Sequence, residues 1–168
     1  MMVLAGIISG GLVGAVPVVA EGEESSVDAE VNVIDGSEAV FGGNISAYRN
    51  VLFPTRVLGK PDLFTAWLYY RGWINIELTE TVPDCTSVSI WAGYFGWSKV
   101  YFQVYTSPDG YTWKLAGNIR SNSPGIKLYE LSGDYGNVRY IRVKLVGSRW
   151  ALGLLDAVSA KGGDAGTD

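Results

Sequence analysis

Apolar and polar residues alternate along much of the chain, most clearly in residues 98–118, SKVYFQVYTSPDGYTWKLAGN. There Val100, Phe102 and Val104 alternate with Tyr101, Gln103 and Tyr105, the period-two pattern of a strand with one face turned inward. Pro108-Asp109-Gly110 follows and supplies turn chemistry, Pro presetting φ and Gly accepting a positive one. Trp113 and Leu115 then restart the alternation, which predicts a hairpin with Trp113 buried on its return strand. Upstream, Trp73, Asn75 and Glu77 alternate with Ile74, Ile76 and Leu78, so a strand begins near Trp73 and buries its even positions. The same reading gives a strand over 87–92 with Val88 and Ile90 inward, one over 126–131, one over 138–146 with Ile141, Val143 and Leu145 inward, and a last one ending near Ala160. The intervening segments 81–86, 93–97, 120–125 and 132–137 read as loops. About eight strands with no amphipathic helix between them predict an all-β fold, an antiparallel jelly-roll β-sandwich, behind an apolar N-terminal segment.

Composition agrees with a turn-rich, aromatic β domain: 22 Gly, 10 Tyr and 6 Trp in 168 residues, a length suited to one domain with short appendages. The single Cys85 cannot form an internal disulfide, and it reads as a buried thiol rather than a nucleophile. The chain has no His, so the commonest general base and the commonest transition-metal ligand are both missing. The carboxylates Asp62, Glu77, Asp84 and Asp156 show no spacing that sets a pair beside a substrate. A non-catalytic protein is expected.

Residues 1–20 contain no charge and end in Val18-Val19-Ala20 before an acidic stretch, which suits a secretory segment and an extracellular or cell-surface location. Gly6, Gly10 and Gly14 are also spaced for close helix packing, so a retained anchor or assembly helix stays open beside a cleaved signal. Membrane contact is expected only there. Residues 21–38 hold seven acids and no base and read as a solvated linker. The sandwich is assigned to 39–160 and a Gly-rich tail to 161–168. All 13 Lys and Arg lie between Arg49 and Lys161, against eight acids in the same stretch, so this body carries +5 although the whole chain is −4. A basic body suits an anionic surface polymer; no nucleic-acid motif accompanies the charge, and none is expected as a partner. Asn44-Ile45-Ser46 is a glycosylation sequon.

The order strand, Ser107-Pro108-Asp109-Gly110, Tyr111-Thr112-Trp113 resembles the central hairpin of the discoidin, or coagulation factor 5/8 type C, family and its galactose-binding-like relatives. Gly59-Lys60-Pro61-Asp62 followed by Thr65-Ala66-Trp67 resembles the loop leading into the first long strand of that family, and the likeness covers about residues 55–160. Calcium-binding members hold a structural cation in this loop. The resemblance therefore implies Ca²⁺ at Asp62, Thr65 and the late carboxylate Asp156, with carbonyls and water completing six to eight oxygens. Lys60 stands where the family often has its first Asp.

Antiparallel succession sends connecting loops to alternate ends of a sandwich. One end then receives residues 62–72, 93–97, 120–125 and 148–150; the other receives the turns at 82–85, 107–110 and 132–137. The first end would gather Tyr94, Phe95, Trp97, Arg120, Asn122, Arg149 and Trp150. Aromatic rings stack on sugar faces, while Arg and Asn donate to hydroxyls and anions, and the resemblance places glycan, protein or lipid contacts at such loops. The competing surface is the outer sheet face, with Trp91, Tyr101 and Tyr105. Two readings follow: an exported binding module for a glycan or cell-surface polymer, or a structural subunit of a surface filament or envelope that self-assembles through residues 1–20.

Overall fold

A computed structural model describes residues 39–96, 99–121, 124–147 and 149–163. The apolar segment 1–20, the acidic linker and the end of the tail lie outside the described residues, and with them the expectations attached to those segments.

Six strands, β1 (Val40–Leu52), β2 (Ala66–Phe95), β3 (Val100–Ser107), β4 (Lys114–Ser121), β5 (Lys127–Val146) and β6 (Leu152–Gly162), carry the fold, with one 3₁₀ turn at Pro54–Val57. Every pairing is antiparallel. The all-β sandwich expected from the alternation is present, built from fewer and longer strands. β2 runs for 30 residues and β5 for 20, and each passes from one layer into the other. Residues 73–77 of β2 pair with 140–144 of β5, β5 pairs on with β3, and β3 with β4. Beyond the bend, residues 87–92 of β2 pair with 127–132 of β5 and with β6. Segments 81–86 and 132–137, expected as loops, are these bends. They face each other through Val82↔Val138 and Cys85↔Gly136 with register shifts on either side, so the ladder continues through them. Positive φ at Asp84 and Gly136, 44° and 64°, supplies the turn in direction.

The two layers close on one apolar core. Val100, Phe102, Val104, Ile141, Val143 and Leu145 are buried as expected, together with Ile74, Ile76, Leu78, Val88, Ile90 and Leu155. Gly153 of β6 lies over Phe102, and a Cβ there would stand 2.8 Å from Phe102 Cε1; Gly117 of β4 similarly faces Leu131. Cys85 is buried, its Sγ donating to Ser87 O at 3.3 Å. Burial pushes the thiol pKa up, which disfavours the reactive thiolate.

Trp113 departs from expectation, being half-buried on the outer side rather than inside. The cause is a bulge. Tyr105 pairs with Leu115 but Val104 with Gly117, leaving Ala116 unmatched. An extra residue flips the alternation, so Ile119 is buried while Leu115 is exposed.

The 107–110 turn is tied by side chains. Ser107 Oγ accepts from the Gly110 N–H at 2.9 Å, and Asp109 Oδ1 accepts from the N–H groups of Tyr111 and Thr112 at 2.8 and 2.7 Å.

Candidate functional site

Strand register fixes which loops share an end. Phe95 at the end of β2 pairs with Leu152 at the start of β6, Val100 at the start of β3 pairs with Ser121 at the end of β4, and Tyr101 pairs with Val146 at the end of β5. The strand ends at Phe95, Val100, Ser121, Val146 and Leu152 therefore share one end, the apical end, as the alternation of strand direction predicts. The bends at 82–85 and 132–137 lie at the other, where Lys114 Nζ also donates to Asp134 O at 2.8 Å.

At the apical end Phe95 is 71% and Trp150 81% exposed, with Arg149 exposed beside Trp150. Tyr94 belongs to the core instead: it is buried and pairs with Gly153. Arg120 is exposed, but it stands within β4 opposite Tyr101, its guanidinium 5.5 Å from that ring's centre, and so faces outward from the sheet at the apical rim. Trp97 and Asn122 lie outside the described residues.

Residues 69–72, which the alternation of loops also sends to this end, add three apical side chains not singled out as candidates, Tyr69, Tyr70 and Arg71. β2 starts by pairing Ala66, Trp67 and Leu68 with Leu155, Leu154 and Gly153 of β6, then crosses to pair Trp73 with Lys144. The crossing is made by Tyr69, Tyr70, Arg71 and Gly72. Both tyrosines are exposed, and Arg71 packs 5.2 Å from the Tyr70 ring centre at a φ of 57°. Asn50 Nδ2 donates to Tyr70 O at 3.1 Å and braces the crossing. A Tyr-Tyr-Arg-Gly run after an alternating apolar start was the available signal.

Residues 62–65, expected apically, lie instead along the flank of β6. Asp156 is 1% exposed, its Oδ1 accepts the Asp62 N–H at 3.4 Å, and its Oδ2 is buried with no hydrogen-bond partner. Burial raises the Asp156 pKa, against the backbone groups of Leu63 and Asp62 that lower it. Asp62 Oδ1 accepts from the Phe64 N–H, and Thr65 Oγ1 from Trp67 Nε1. The three residues assigned to a cation by resemblance are thus neighbours. Among the described residues no group of three His, Cys, Asp or Glu side chains is placed to hold a metal, so carbonyl or water oxygens would have to complete any site here.

Trp91, grouped with Tyr101 and Tyr105 at the sequence level, is on the other layer. It pairs with Leu128 and Ala157 and packs against Phe41, ring centres 5.9 Å apart. Tyr101 and Tyr105 share the outer face of the first layer with Trp73 and Arg142, Arg142 pairing with both Asn75 and Tyr105.

This arrangement of strands has known counterparts. The fold is the galactose-binding-like β-sandwich. A pectin-binding carbohydrate-binding module matches 73% of this chain and 90% of its own at 16% identity and a TM-score of 0.51. The family 32 module of AlyQ, solved with 4,5-unsaturated mannuronic acid, matches 70% of this chain and 91% of its own at 19% identity, TM-score 0.53. The family 32 module of NanJ from C. perfringens, solved with galactose, matches 73% and 98% at 7% identity, TM-score 0.53. No protein-family model and no curated protein matches the chain in sequence.

Proposed function

We propose that the chain is an exported, non-catalytic glycan-binding module whose apical end holds the sugar. The observation that carries this reading is the meeting at one end of exposed Phe95, Trp150, Tyr69 and Tyr70 with Arg71 and Arg149. Exposed aromatic rings at the end of a rigid sandwich suit the apolar faces of sugars, and flanking arginines suit hydroxyls and carboxylates. Structural neighbours that are carbohydrate-binding modules support it. A glycan array probed with the chain and with Trp150→Ala and Tyr70→Ala variants tests it: binding that survives both substitutions rejects the apical site.

The loop at Asp62 is proposed to take a structural Ca²⁺. Asp156, Asp62 and Thr65 supply oxygens, and the buried, unpartnered Asp156 Oδ2 is an atom that a hard cation would satisfy. Its role would be to stiffen the flank of β6.

A further inference from the structure

We propose that the outer face of the layer made by β2, β5, β3 and β4 is a second binding surface, for a polyuronate chain lying across the strands over Arg142, Lys144 and Arg120. It stands on this face alone and holds or fails independently of the apical site.

Register arranges the face in rows. Trp73, Lys144, Gln103 and Asn118 form one row across four strands, and Asn75, Arg142, Tyr105 and Leu115 the next, with Tyr101 and Arg120 at the apical rim. Adjacent strands lie about 4.8 Å apart, so each row is a continuous track crossing the layer.

Arg142 is held in place before any ligand arrives. Its Nε donates to Asn75 Oδ1 at 2.7 Å, and its guanidinium lies 4.1 Å from the Trp113 ring centre and 5.2 Å from that of Trp73. These contacts leave the Nη1 and Nη2 groups for an external acceptor. An arginine fixed by packing loses little freedom on binding and suits a carboxylate's two oxygens. Tyr101 supports Arg120 in the same way. Between the cations stand Gln103, Asn118 and Tyr105, and the Tyr105 hydroxyl already donates to Gln103 Oε1 at 3.1 Å.

Charge chooses the occupant. In these rows and the adjoining Glu77–Tyr140 pair, the carboxylate of Glu77 is bound by Arg139 at 2.8 Å, so the cations of the face meet no free carboxylate. A second copy of the same face offers no complement, since both would be cationic. Single-stranded nucleic acid needs open rings for base stacking, and here Arg142 already lies over Trp73 and Trp113. A chain bearing both carboxylates and hydroxyls matches cations interleaved with amides and a phenol.

Affinity electrophoresis of the full chain through gels holding polygalacturonate, alginate or neutral galactan tests the assignment, with an oligodeoxythymidine competitor. Retardation is expected in at least one polyuronate gel, and it should weaken as salt is raised; any retardation in neutral galactan, which the apical end could give, should be untouched by substitutions on the sheet face. The double variant Arg142→Gln/Lys144→Gln is expected to lose roughly tenfold or more in affinity, the effect of removing charge-assisted hydrogen bonds, whereas Lys127→Gln, which removes an exposed cation on the other layer, keeps the binding. Because Arg142 also packs on two tryptophans, Arg120→Glu on the exposed edge strand is a second variant, expected to weaken retardation while circular dichroism stays that of the unsubstituted chain. The proposal is overturned if neither polyuronate retards the chain, if folded sheet-face variants are retarded by polyuronate like the unsubstituted chain, if those variants lose any neutral-galactan retardation to the same extent, or if the oligonucleotide displaces polyuronate. Polyuronate binding lost in Trp150→Ala but kept in the sheet variants would overturn it in favour of the apical site.

Discussion

The Arg142 guanidinium lies 4.1 Å from the centre of the Trp113 ring, on the solvent side of the sheet. Trp113 is therefore a cover for a charged side chain and only half-buried. Its replacement by Ala should cost about 1–2 kcal/mol, the range of a partly desolvated cation–π contact. Phe102, with no exposed surface, should cost about 3–5 kcal/mol on replacement by Ala, through lost burial and a cavity. Urea denaturation of the two variants checks the order, and a Trp113→Ala loss equal to that of Phe102→Ala would place the indole in the core after all.

Alternation made the layer faces legible wherever strands keep period two, as for Val100 to Val104 and Ile141 to Leu145, all buried. It failed at Trp113 because a single unmatched residue, Ala116, reverses the faces and leaves no mark in local composition. Turn-rich composition misled at 81–86 and 132–137, since two bends that face each other satisfy their backbone groups within the ladder. The apical grouping of Phe95, Arg149 and Trp150 followed from strand direction alone. Strand direction also put residues 69–72 at that end, but not the crossing they make, which depends on β2 changing partners from β6 to β5, a long-range event.

The Asp109 carboxylate accepts the Tyr111 and Thr112 N–H groups, and the Thr112 and Tyr111 backbone bonds hold its pKa well below the usual carboxylate range. A folded-state pKa below the unfolded one gives stability that is present above the unfolded value, about 3.9 for Asp, and lost as pH falls through the folded value. The melting temperature should thus fall as pH drops below about 4, and Asp109→Ala should lower the neutral-pH melting temperature while flattening that acid limb. An acid limb of equal steepness in both proteins would assign it to other carboxylates.

Gly93 lies against the backbone of the apical connection that precedes β5. A Cβ at this position would collide with the Gly125 carbonyl, which is backbone and cannot rotate away. Gly93→Ala should cost about 1–3 kcal/mol, as overpacking does, and should displace the 122–126 connection. Thermal melting together with limited proteolysis near Gly125 reads both effects, and unchanged values would show that the connection has room to move.

Calcium, if held by Asp62, Thr65 and Asp156, binds only the folded flank of β6 and stabilises by mass action. At one hundred times its Kd the gain is about 2.7 kcal/mol. Calcium added to EDTA-treated protein should raise the melting temperature, magnesium should do so less because it demands a tighter octahedral set, and Asp156→Asn should abolish the response. A melting temperature indifferent to calcium removes the proposed site.

Stacking and charge should separate at the apical end. Trp150 and Phe95 offer apolar area, whose contact with a sugar face acts at short range and is little affected by ions. Arg149 and Arg71 act through charge, which at 0.15 M salt is screened over about 8 Å. Trp150→Ala should therefore weaken glycan binding by a similar factor at low and high salt. Arg149→Ala should weaken binding of an acidic glycan mainly at low salt and leave a neutral one nearly unchanged. Titration calorimetry of both variants against one neutral and one acidic oligosaccharide, at two salt concentrations, gives the comparison. Equal salt dependence for the two substitutions would mean that the tryptophan acts by holding the loop that carries Arg149, and the aromatic contact would then have to come from Tyr69 and Tyr70 instead.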